Sequence, residues 1–361
     1  MMSVGVRSLL VSALVPMRRP LVARRLLQRP MCSAPDASPF PEWMIAPHVP
    51  AAEWVACAIS HFEAGELDAL KSQAPSDGTT RLEGDLLPQE ITCDVGMRRP
   101  TAVELTPSHV RLYLGEMAEP ACVAWKFLAK VVKKKKQGAW QLDSDCDEPP
   151  ELIQGFSDGT QRTASLYPVE RGPPTAILGG FNMHRMKSID PGEDTARKLG
   201  ALGSAKGGLR GRVLDVCTGL GYTCLGASRT AFVDHVVTIE LDPLMVEMQR
   251  ANPWSADLFT DEKVTRLLGD ATEIVPQLPE GYFNFVVHDP PTNHMSGELY
   301  SAEFYAALRR TLKPGGTLYH YVGDPASKAS GRLFKGIMER LRDVGFEEVK
   351  SHNKAYGIVA R

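Results

Sequence analysis

Residues 212–242 read RVLDVCTGLGYTCLGASRTAFVDHVVTIELD, and this stretch decides the fold. An apolar run from Val213 predicts a buried parallel strand, which breaks at a turn containing Gly219 and Gly221 and continues as a helix. A second apolar run ends at Glu240, which puts a carboxylate at the end of the neighbouring strand, where a ribose would lie. The pattern predicts an α/β fold with a Rossmann-like sheet that binds a nucleoside.

The residues around the two glycines indicate which kind of nucleoside fits. A dinucleotide-binding turn has the pattern G-x-G-x-x-G and holds a pyrophosphate, but Cys224 stands at the third glycine position. Asp215 lies four residues before Gly219; its carboxylate repels phosphate and suits a cationic ligand with an ammonium and a sulfonium. A dehydrogenase is therefore disfavoured, while an ordinary βα turn with two structural glycines is the alternative.

Asp215-x-x-x-Gly219-x-Gly221 followed by Glu240 resembles the first two motifs of class I S-adenosylmethionine-dependent methyltransferases. The resemblance implies S-adenosyl-L-methionine as the cofactor, with Glu240 on the ribose hydroxyls and Asp270 on the adenine amino group. A role for Asp270 as a helix cap alone is the alternative. The implied cofactor-binding residues are Asp215, Thr218, Gly219, Gly221, Glu240 and Asp270.

A fourth predicted strand ends in His288-Asp289-Pro290-Pro291-Thr292, which resembles the (Asp/Asn)-Pro-Pro-(Tyr/Phe) signature of amino-group methyltransferases. The resemblance implies that Asp289, Pro290 and Pro291 are catalytic and position a target NH₂ for in-line displacement. Thr292 replaces the aromatic residue of the signature, so a planar base is a less secure target. A strand stop made by two prolines is the alternative.

Five further residues are candidates for substrate binding: His184, Arg185, Glu298, Tyr300 and Tyr305. The first two either hold an anionic group over the cofactor site or cap the linker before it. His288, His294, His320 and Asp324 could be drawn as a metal cluster, but lone histidines near strand ends are more often structural, and no metal is predicted. The motifs across about residues 90–361 resemble a little-characterised, mainly archaeal methyltransferase family.

Charge and composition differ along the 361 residues. Residues 1–35 contain six arginines and no acid, which is typical of a transit peptide for a mitochondrion or plastid; a disordered basic tail is the alternative. Without them, 35 basic and 43 acidic side chains remain, a formal charge of −8 that weakens the case for a nucleic-acid substrate. No apolar run is long enough for a membrane span. Seven cysteines without disulfide or metal spacing predict free thiols in a reducing compartment.

The predicted domains are a transit peptide (1–35), a linker with a short helix at 51–72 (36–80), a small β-rich domain (81–182) and a methyltransferase domain (183–361). In the linker to the last domain, Asp190 is predicted to cap a helix with Pro191 at its first position. Glu193 and Asp194 are then expected to pair with Arg197 and Lys198 on the exposed face. The run Lys133 to Lys136 predicts either a solvated tip or a phosphate-binding surface.

The sequence predicts an enzyme that transfers a methyl group to an amino nitrogen of RNA, protein or a small amine. Two alternatives remain open. The first is an aminopropyltransferase of the polyamine-synthase type, whose donor is also a sulfonium; the second is a non-catalytic protein that binds RNA or a partner. The retained Asp289-Pro290-Pro291 argues against the second alternative. The oligomeric state is not predicted.

Overall fold

The computed structural model describes residues 40–41, 45–46, 57–115, 119–133, 137–291, 296–327 and 330–361, all of which belong to one compact unit. The predicted transit peptide, Thr292, His294 and Lys134–Lys136 lie outside these residues. Within the described ranges, no helix is both long and apolar enough to cross a membrane.

The described residues before 183 contain eleven short antiparallel strands. They form three sheets in the orders β1-β6-β7, β2-β3-β4-β5 and β11-β10-β9-β8. The strands are β1 (Ala58–Ser60), β2 (Thr80–Glu83), β3 (Ala102–Leu105), β4 (His109–Tyr113), β5 (Ala121–Ala124), β6 (Ala139–Gln141), β7 (Glu151–Leu152), β8 (Gln154–Ser157), β9 (Arg162–Tyr167), β10 (Thr175–Leu178) and β11 (Phe181–Asn182). Two helices, α1 (His61–Ala69) and α2 (Trp125–Lys133), accompany them.

The helix expected from residue 51 begins at His61, because Ser60 caps it. The Ser60 hydroxyl accepts a hydrogen bond from the Glu63 amide at 3.1 Å, and the Glu63 carboxylate accepts one from the Ser60 amide at 2.6 Å. Residues 58–60 are instead strand β1, whose partner β6 comes from beyond residue 81. One sheet therefore crosses the predicted boundary between linker and small domain.

The prediction that all cysteines are free thiols is wrong for one pair. Cys122 in β5 and Cys146 form a disulfide across 24 positions of sequence. The Cys122 amide donates to the Asp143 carbonyl at 2.7 Å and so brings the loop of Cys146 beside β5. Cys57, Cys93, Cys217 and Cys224 are free.

A seven-stranded, mainly parallel sheet dominates the rest of the chain, in the order β14-β13-β12-β15-β16-β18-β17. Its strands are β12 (Gly211–Val216), β13 (Val233–Glu240), β14 (Val264–Leu268), β15 (Phe283–His288), β16 (Leu312–Tyr321), β17 (Val349–His352) and β18 (Gly357–Ala360). The first five strands are parallel and the last two form an antiparallel hairpin. This order confirms the predicted Rossmann-like methyltransferase sheet.

Helices cover the two faces of this sheet, as buried parallel strands require. They are α3 (Pro191–Gly203), α4 (Tyr222–Ser228), α5 (Pro243–Ala251), α6 (Asp257–Thr260), α7 (Ala271–Ile274), α8 (Ala302–Thr311) and α9 (Ser330–Asp343). Leu214, Val237, Val286 and Leu318 are completely buried at the centre of the sheet. The carboxyl ends of the parallel strands therefore meet along one edge.

Helix α3 begins as predicted but buries a pair that was expected in solvent. Asp190 is the N-cap and accepts from the Glu193 amide at 2.9 Å, with Pro191 at the first helical position. The predicted Glu193–Arg197 pair is present on the surface. Asp194 and Lys198 also pair, but both side chains are buried, so their predicted exposed position is wrong.

Candidate active site

The turn after β12 has a left-handed backbone at three positions. Cys217, Gly219 and Gly221 have φ values of 71°, 57° and 80°. A Cβ on Gly221 would lie 2.3 Å from a Leu258 methyl carbon, and one on Gly219 would lie 2.8 Å from the Met183 sulfur. Glycine at both positions thus combines a compact turn with close approach of neighbouring side chains.

Glu240 joins this turn to the end of β13. One carboxylate oxygen accepts from the Gly219 amide at 2.8 Å, and the other accepts from the Asp242 amide at 2.9 Å. Burial raises the pKa of Glu240 to about 7, although these amide donors oppose the rise. The two amides fix the half-buried carboxylate at the predicted ribose position.

Asp215 lies deeper than the sequence suggested. Its carboxylate is completely buried and accepts hydrogen bonds from the Thr223 and Thr238 hydroxyls, both at 2.7 Å. The Thr218 hydroxyl is 2.6 Å from that of Thr238. Asp215 and Thr218 are therefore linked through Thr238, and Asp215 lies beneath the turn.

Asp270 forms the predicted cap at the start of α7. One of its carboxylate oxygens accepts from the Thr272 amide at 2.8 Å and from the Thr272 hydroxyl at 2.7 Å. The half-buried side chain stands at the carboxyl edge, directly after β14 and Gly269. The cap is observed, and the contact with adenine stays a prediction.

Four carboxylates converge on Cys217. Burial raises the pKa of its thiol most, and the charges of Glu240, Asp289, Asp215 and Asp270 raise it further. These acids come from the ends of four neighbouring strands, which the topology brings to one edge. The edge is consequently electronegative and favours a cationic ligand.

Lys198 connects helix α3 to the end of β15. Its ammonium lies 2.7 Å from the Asp289 carboxylate and 2.9 Å from that of Asp194, and it stands over the Tyr321 ring at 4.7 Å. The Lys198 side chain is 2% exposed and that of Asp289 is 19% exposed. One buried ammonium therefore bridges a core carboxylate and a carboxylate at the site.

The pKa values in this network follow from burial and pairing. Burial opposes the charge of Lys198, but the carboxylates of Asp289 and Asp194 outweigh it and raise the pKa of the ammonium. Burial raises the pKa of Asp289, and Lys198 acts in the opposite direction. Lys198 thus favours the charged form of Asp289 in a place that otherwise disfavours it.

The Asp289-Pro290-Pro291 segment begins immediately after β15. The Asp289 amide donates to the Val216 carbonyl at 3.2 Å, which holds the segment beside the glycine turn. Pro290 is buried, and the Pro291 carbonyl accepts a hydrogen bond from the Tyr300 hydroxyl at 2.8 Å. Tyr300 thus braces the segment, and its predicted contact with substrate stays a prediction.

A buried pair of histidines lies beneath this segment. The His288 ring stacks on that of His320 at 4.5 Å, and its Nε2 bonds the Leu299 carbonyl at 2.9 Å. His320 Nε2 is 3.0 Å from the hydroxyl of Tyr305, which is completely buried. Tyr305, a predicted substrate-binding residue, is therefore a core residue under the site.

The remaining predicted substrate residues divide into two groups. His184 contacts the Thr175 hydroxyl at 2.9 Å and stacks on Tyr222 at 5.1 Å. Arg185 donates to the Lys354 carbonyl at 2.9 Å and lies 3.5 Å from Asp194. Both side chains thus have structural contacts, Glu298 is exposed, and substrate binding by these three residues stays a prediction.

Replacing Asp215 by asparagine should change how stability depends on pH. Burial raises the pKa of Asp215 to about 7, so the folded chain retains a proton that the unfolded chain releases above about pH 4. The contribution of Asp215 to the stability of the fold is fully present below about pH 4 and is lost as pH rises through about 7. We expect Asp215→Asn to gain on the order of 2 kcal/mol relative to the parent chain between pH 5 and 8.

Each pH value needs its own parent–variant comparison of thermal unfolding. Burial lowers the pKa of His184 to about 3 and that of His288 to about 4, so these residues favour folding as pH rises towards 6.5. Their contribution cancels in the difference. The exposed Asp158→Asn is the matched control, and a difference that does not change with pH would contradict the assignment.

Comparisons with known proteins agree with this geometry. Residues 213–316 match the family described as "Methyltransferase domain". An uncharacterized protein of Methanocaldococcus jannaschii is 46% identical over 189 residues, 52% of this chain and 64% of that protein. The chain thus spans less than two thirds of this relative's length.

Aminopropyltransferases and N-methyltransferases also match in sequence. "Polyamine aminopropyltransferase 2" of Hyperthermus butylicus is 27% identical over 41% of this chain and 52% of its own length. "Putrescine N-methyltransferase 4" of Nicotiana tabacum is 28% identical over 30% of this chain and 28% of its own. A crystal structure of spermidine synthase aligns with 63% of this chain and 77% of that chain, at 17% identity and a TM-score of 0.49.

The match covers β12 to the start of β16, including the glycine turn, Glu240, Asp270 and Asp289. These residues occupy the carboxyl edge of the sheet in the order that the sequence predicted. Residues 213–316 are therefore a methyltransferase domain by sequence.

Proposed function

We propose that the chain transfers the methyl group of S-adenosyl-L-methionine to the nitrogen of an amine. The observation that carries this proposal is the Asp289 carboxylate, one oxygen of which lies 2.7 Å from the Lys198 ammonium. Among the residues that the structure describes, none donates a hydrogen bond to the other oxygen. Because the Asp289 side chain is 19% exposed, it can accept a hydrogen bond from an N–H group of the molecule that receives the methyl group.

The charges of the site fit the donor. S-adenosylmethionine, when bound, supplies an electrophilic methyl carbon on a positively charged sulfur. Asp215, Glu240, Asp270 and Asp289 supply negative charge around Cys217, which suits that sulfonium and the ammonium of the same molecule. Glu240, oriented by two backbone amides, would hold the ribose hydroxyls.

Asp289 has two tasks in the proposed reaction. An aliphatic amine, like lysine, has a pKa of about 10.4 and is protonated at neutral pH, so it must lose a proton before its lone pair can attack. A charged Asp289 can take up that proton as a general base, and its position directs the lone pair that is left on the nitrogen. Lys198 keeps the carboxylate charged and fixed, which restricts the acceptor to one orientation.

Aminopropyl transfer is the second candidate, because polyamine aminopropyltransferases are among the relatives. Their name and that of the putrescine N-methyltransferases both specify an amine, while the transferred groups differ. An amine acceptor therefore accords with both kinds of relative. The identity of the sulfonium donor separates the two candidates.

Calorimetry with the full chain tests the donor. S-adenosylmethionine, S-adenosylhomocysteine and decarboxylated S-adenosylmethionine are titrated separately. We expect the first two to bind, and Glu240→Gln to weaken them at least about tenfold, the equivalent of ~1.4 kcal/mol. Glu247→Gln on α5 is the matched control. Preference for the decarboxylated donor would favour aminopropyl transfer, and binding of none would refute both candidates.

Transfer of a labelled methyl group tests the acceptor. Putrescine, spermidine, an oligoribonucleotide and a lysine-rich peptide are each incubated with the full chain and labelled donor. We expect label on an amine nitrogen of the diamine or triamine. Label that appears only on an oxygen or carbon atom would refute the proposed nitrogen acceptor.

A further inference from the structure

The disulfide region contains a third potential metal ligand. The ligand atoms of His109, Cys122 and Cys146 all lie within 4.8 Å of one another. His109 begins β4 and Cys122 lies diagonally opposite it on the paired strand β5, so their side chains share one face. These residues come from three places in the sequence, and no local spacing motif signals them.

The orientation of His109 is that of a ligand without its ion. Its Nε2 is buried and has no hydrogen-bond partner, whereas its Nδ1 is 2.9 Å from the Ser108 hydroxyl. A histidine that binds a metal through one ring nitrogen normally donates its other N–H to such an oxygen.

We infer that His109, Cys122 and Cys146 form a zinc-type metal site when the Cys122–Cys146 disulfide is reduced. Two thiolates and one imidazole are a donor set that zinc prefers, and tetrahedral ligand atoms are roughly 3.5 Å apart. The three ligand atoms already lie within 4.8 Å of one another, and reduction of the disulfide allows the two sulfurs to separate to the tetrahedral distance. The disulfide and the metal are alternative links between β5 and the loop at residue 146.

Conversion of the disulfide form to the metal-binding form needs an external dithiol as the reductant. The dithiol breaks the Cys122–Cys146 bond, becomes a disulfide itself, and leaves two thiols on the chain. Binding of a divalent ion then releases one proton from each thiol, and the two thiolates neutralise its charge. Cys146 is half-buried and borders a cavity of about 330 Å³, which gives both the dithiol and the ion a route of entry.

A fourth ligand would be available from this same cavity, which His109 and Cys146 border. Asp147 also borders it, and its charge acts on the His109 ring. The Asp147 side chain is 92% exposed and lies 3.8 Å from Lys126. A carboxylate or a water can therefore complete the tetrahedron, without contribution from the proposed catalytic edge.

Cobalt is the probe that tests this site, because Co²⁺ reports thiolate ligation and tetrahedral geometry in its absorption spectrum. The full chain is reduced anaerobically, freed of reductant and titrated with Co²⁺, and Zn²⁺ is then added in competition. We expect one Co²⁺ per chain, a thiolate-to-metal charge-transfer band, displacement by Zn²⁺, and no such band for the oxidised chain.

His109→Asn is the decisive variant, since it leaves both cysteines and their disulfide in place. We expect it to weaken Co²⁺ binding at least about tenfold, with an unchanged count of reducible thiols. His352→Asn is the matched control. Full-strength binding by His109→Asn, the absence of a thiolate band in the reduced chain, or a disulfide that resists reduction in the folded protein would each overturn the inference.

Discussion

Replacing Lys198 by methionine is expected to destabilise the chain by about 3–5 kcal/mol and to reduce methyl transfer more than 100-fold. Methionine retains the length of the side chain but leaves the completely buried Asp194 without its ammonium partner. It also removes the cation that opposes the raised pKa of Asp289. Denaturant unfolding and steady-state transfer to the amine found by the acceptor screen measure the two effects.

Two further variants separate the causes. Arg197→Met removes the neighbouring cation of α3, whose pair with Glu193 is on the surface, and should cost well under about 1 kcal/mol. Asp194→Asn combined with Lys198→Met also removes the buried carboxylate that has lost its ammonium partner. This double variant should recover part of the stability but no activity. If Lys198→Met alone has the same stability and turnover as the parent chain, the role given to Lys198 is contradicted.

Changing Asp289 to asparagine is expected to lower turnover by about 10²–10⁴ while cofactor binding stays close to that of the parent. The amide has nearly the same shape and can still accept from Lys198, but it cannot take up the amine proton as the carboxylate can. Turnover is measured over a range of pH with the amine from the acceptor screen, and donor binding is measured by calorimetry.

Asp270→Asn is the control, because Asp270 is another carboxylate at the same edge of the sheet. Asp270 stands two strands from β12, on the side opposite β15, so its substitution should weaken donor binding more than it lowers turnover. The two variants should therefore divide between KM for the donor and kcat. Loss of donor binding in Asp289→Asn, with turnover unchanged at saturation, would show that Asp289 belongs to the cofactor site.

The large sheet follows from local signals in the sequence. Apolar strands alternate with capped helices, and the glycine turn after Val216 and the acid at Glu240 mark the first two strand ends. Parallel strands with right-handed crossovers then leave few possible orders. The small sheets were harder to predict, because strands of two to six residues carry little periodicity and pair across long loops.

The predicted cofactor residues meet at one edge, but the network behind Asp289 was missed. Asp194 and Lys198 are four residues apart, which is the usual spacing of an exposed helical pair. Leu202, another four residues on, is completely buried and marks the face on which both charges lie. The spacing of these two charged residues from Leu202 was therefore the available signal that they lie on the buried face of the helix. The partner from residue 289 could not be found, because 91 positions separate it from Lys198.

The free cysteine in the glycine turn has a consequence for side reactions. A thiolate is a far better nucleophile than a neutral thiol, and one beside an alkylating donor would be a competing target. Burial and the four surrounding carboxylates hold the pKa of Cys217 well above its usual value, so the sulfur keeps its proton at neutral pH. The same negative charge that suits a sulfonium thereby protects the chain from alkylating itself.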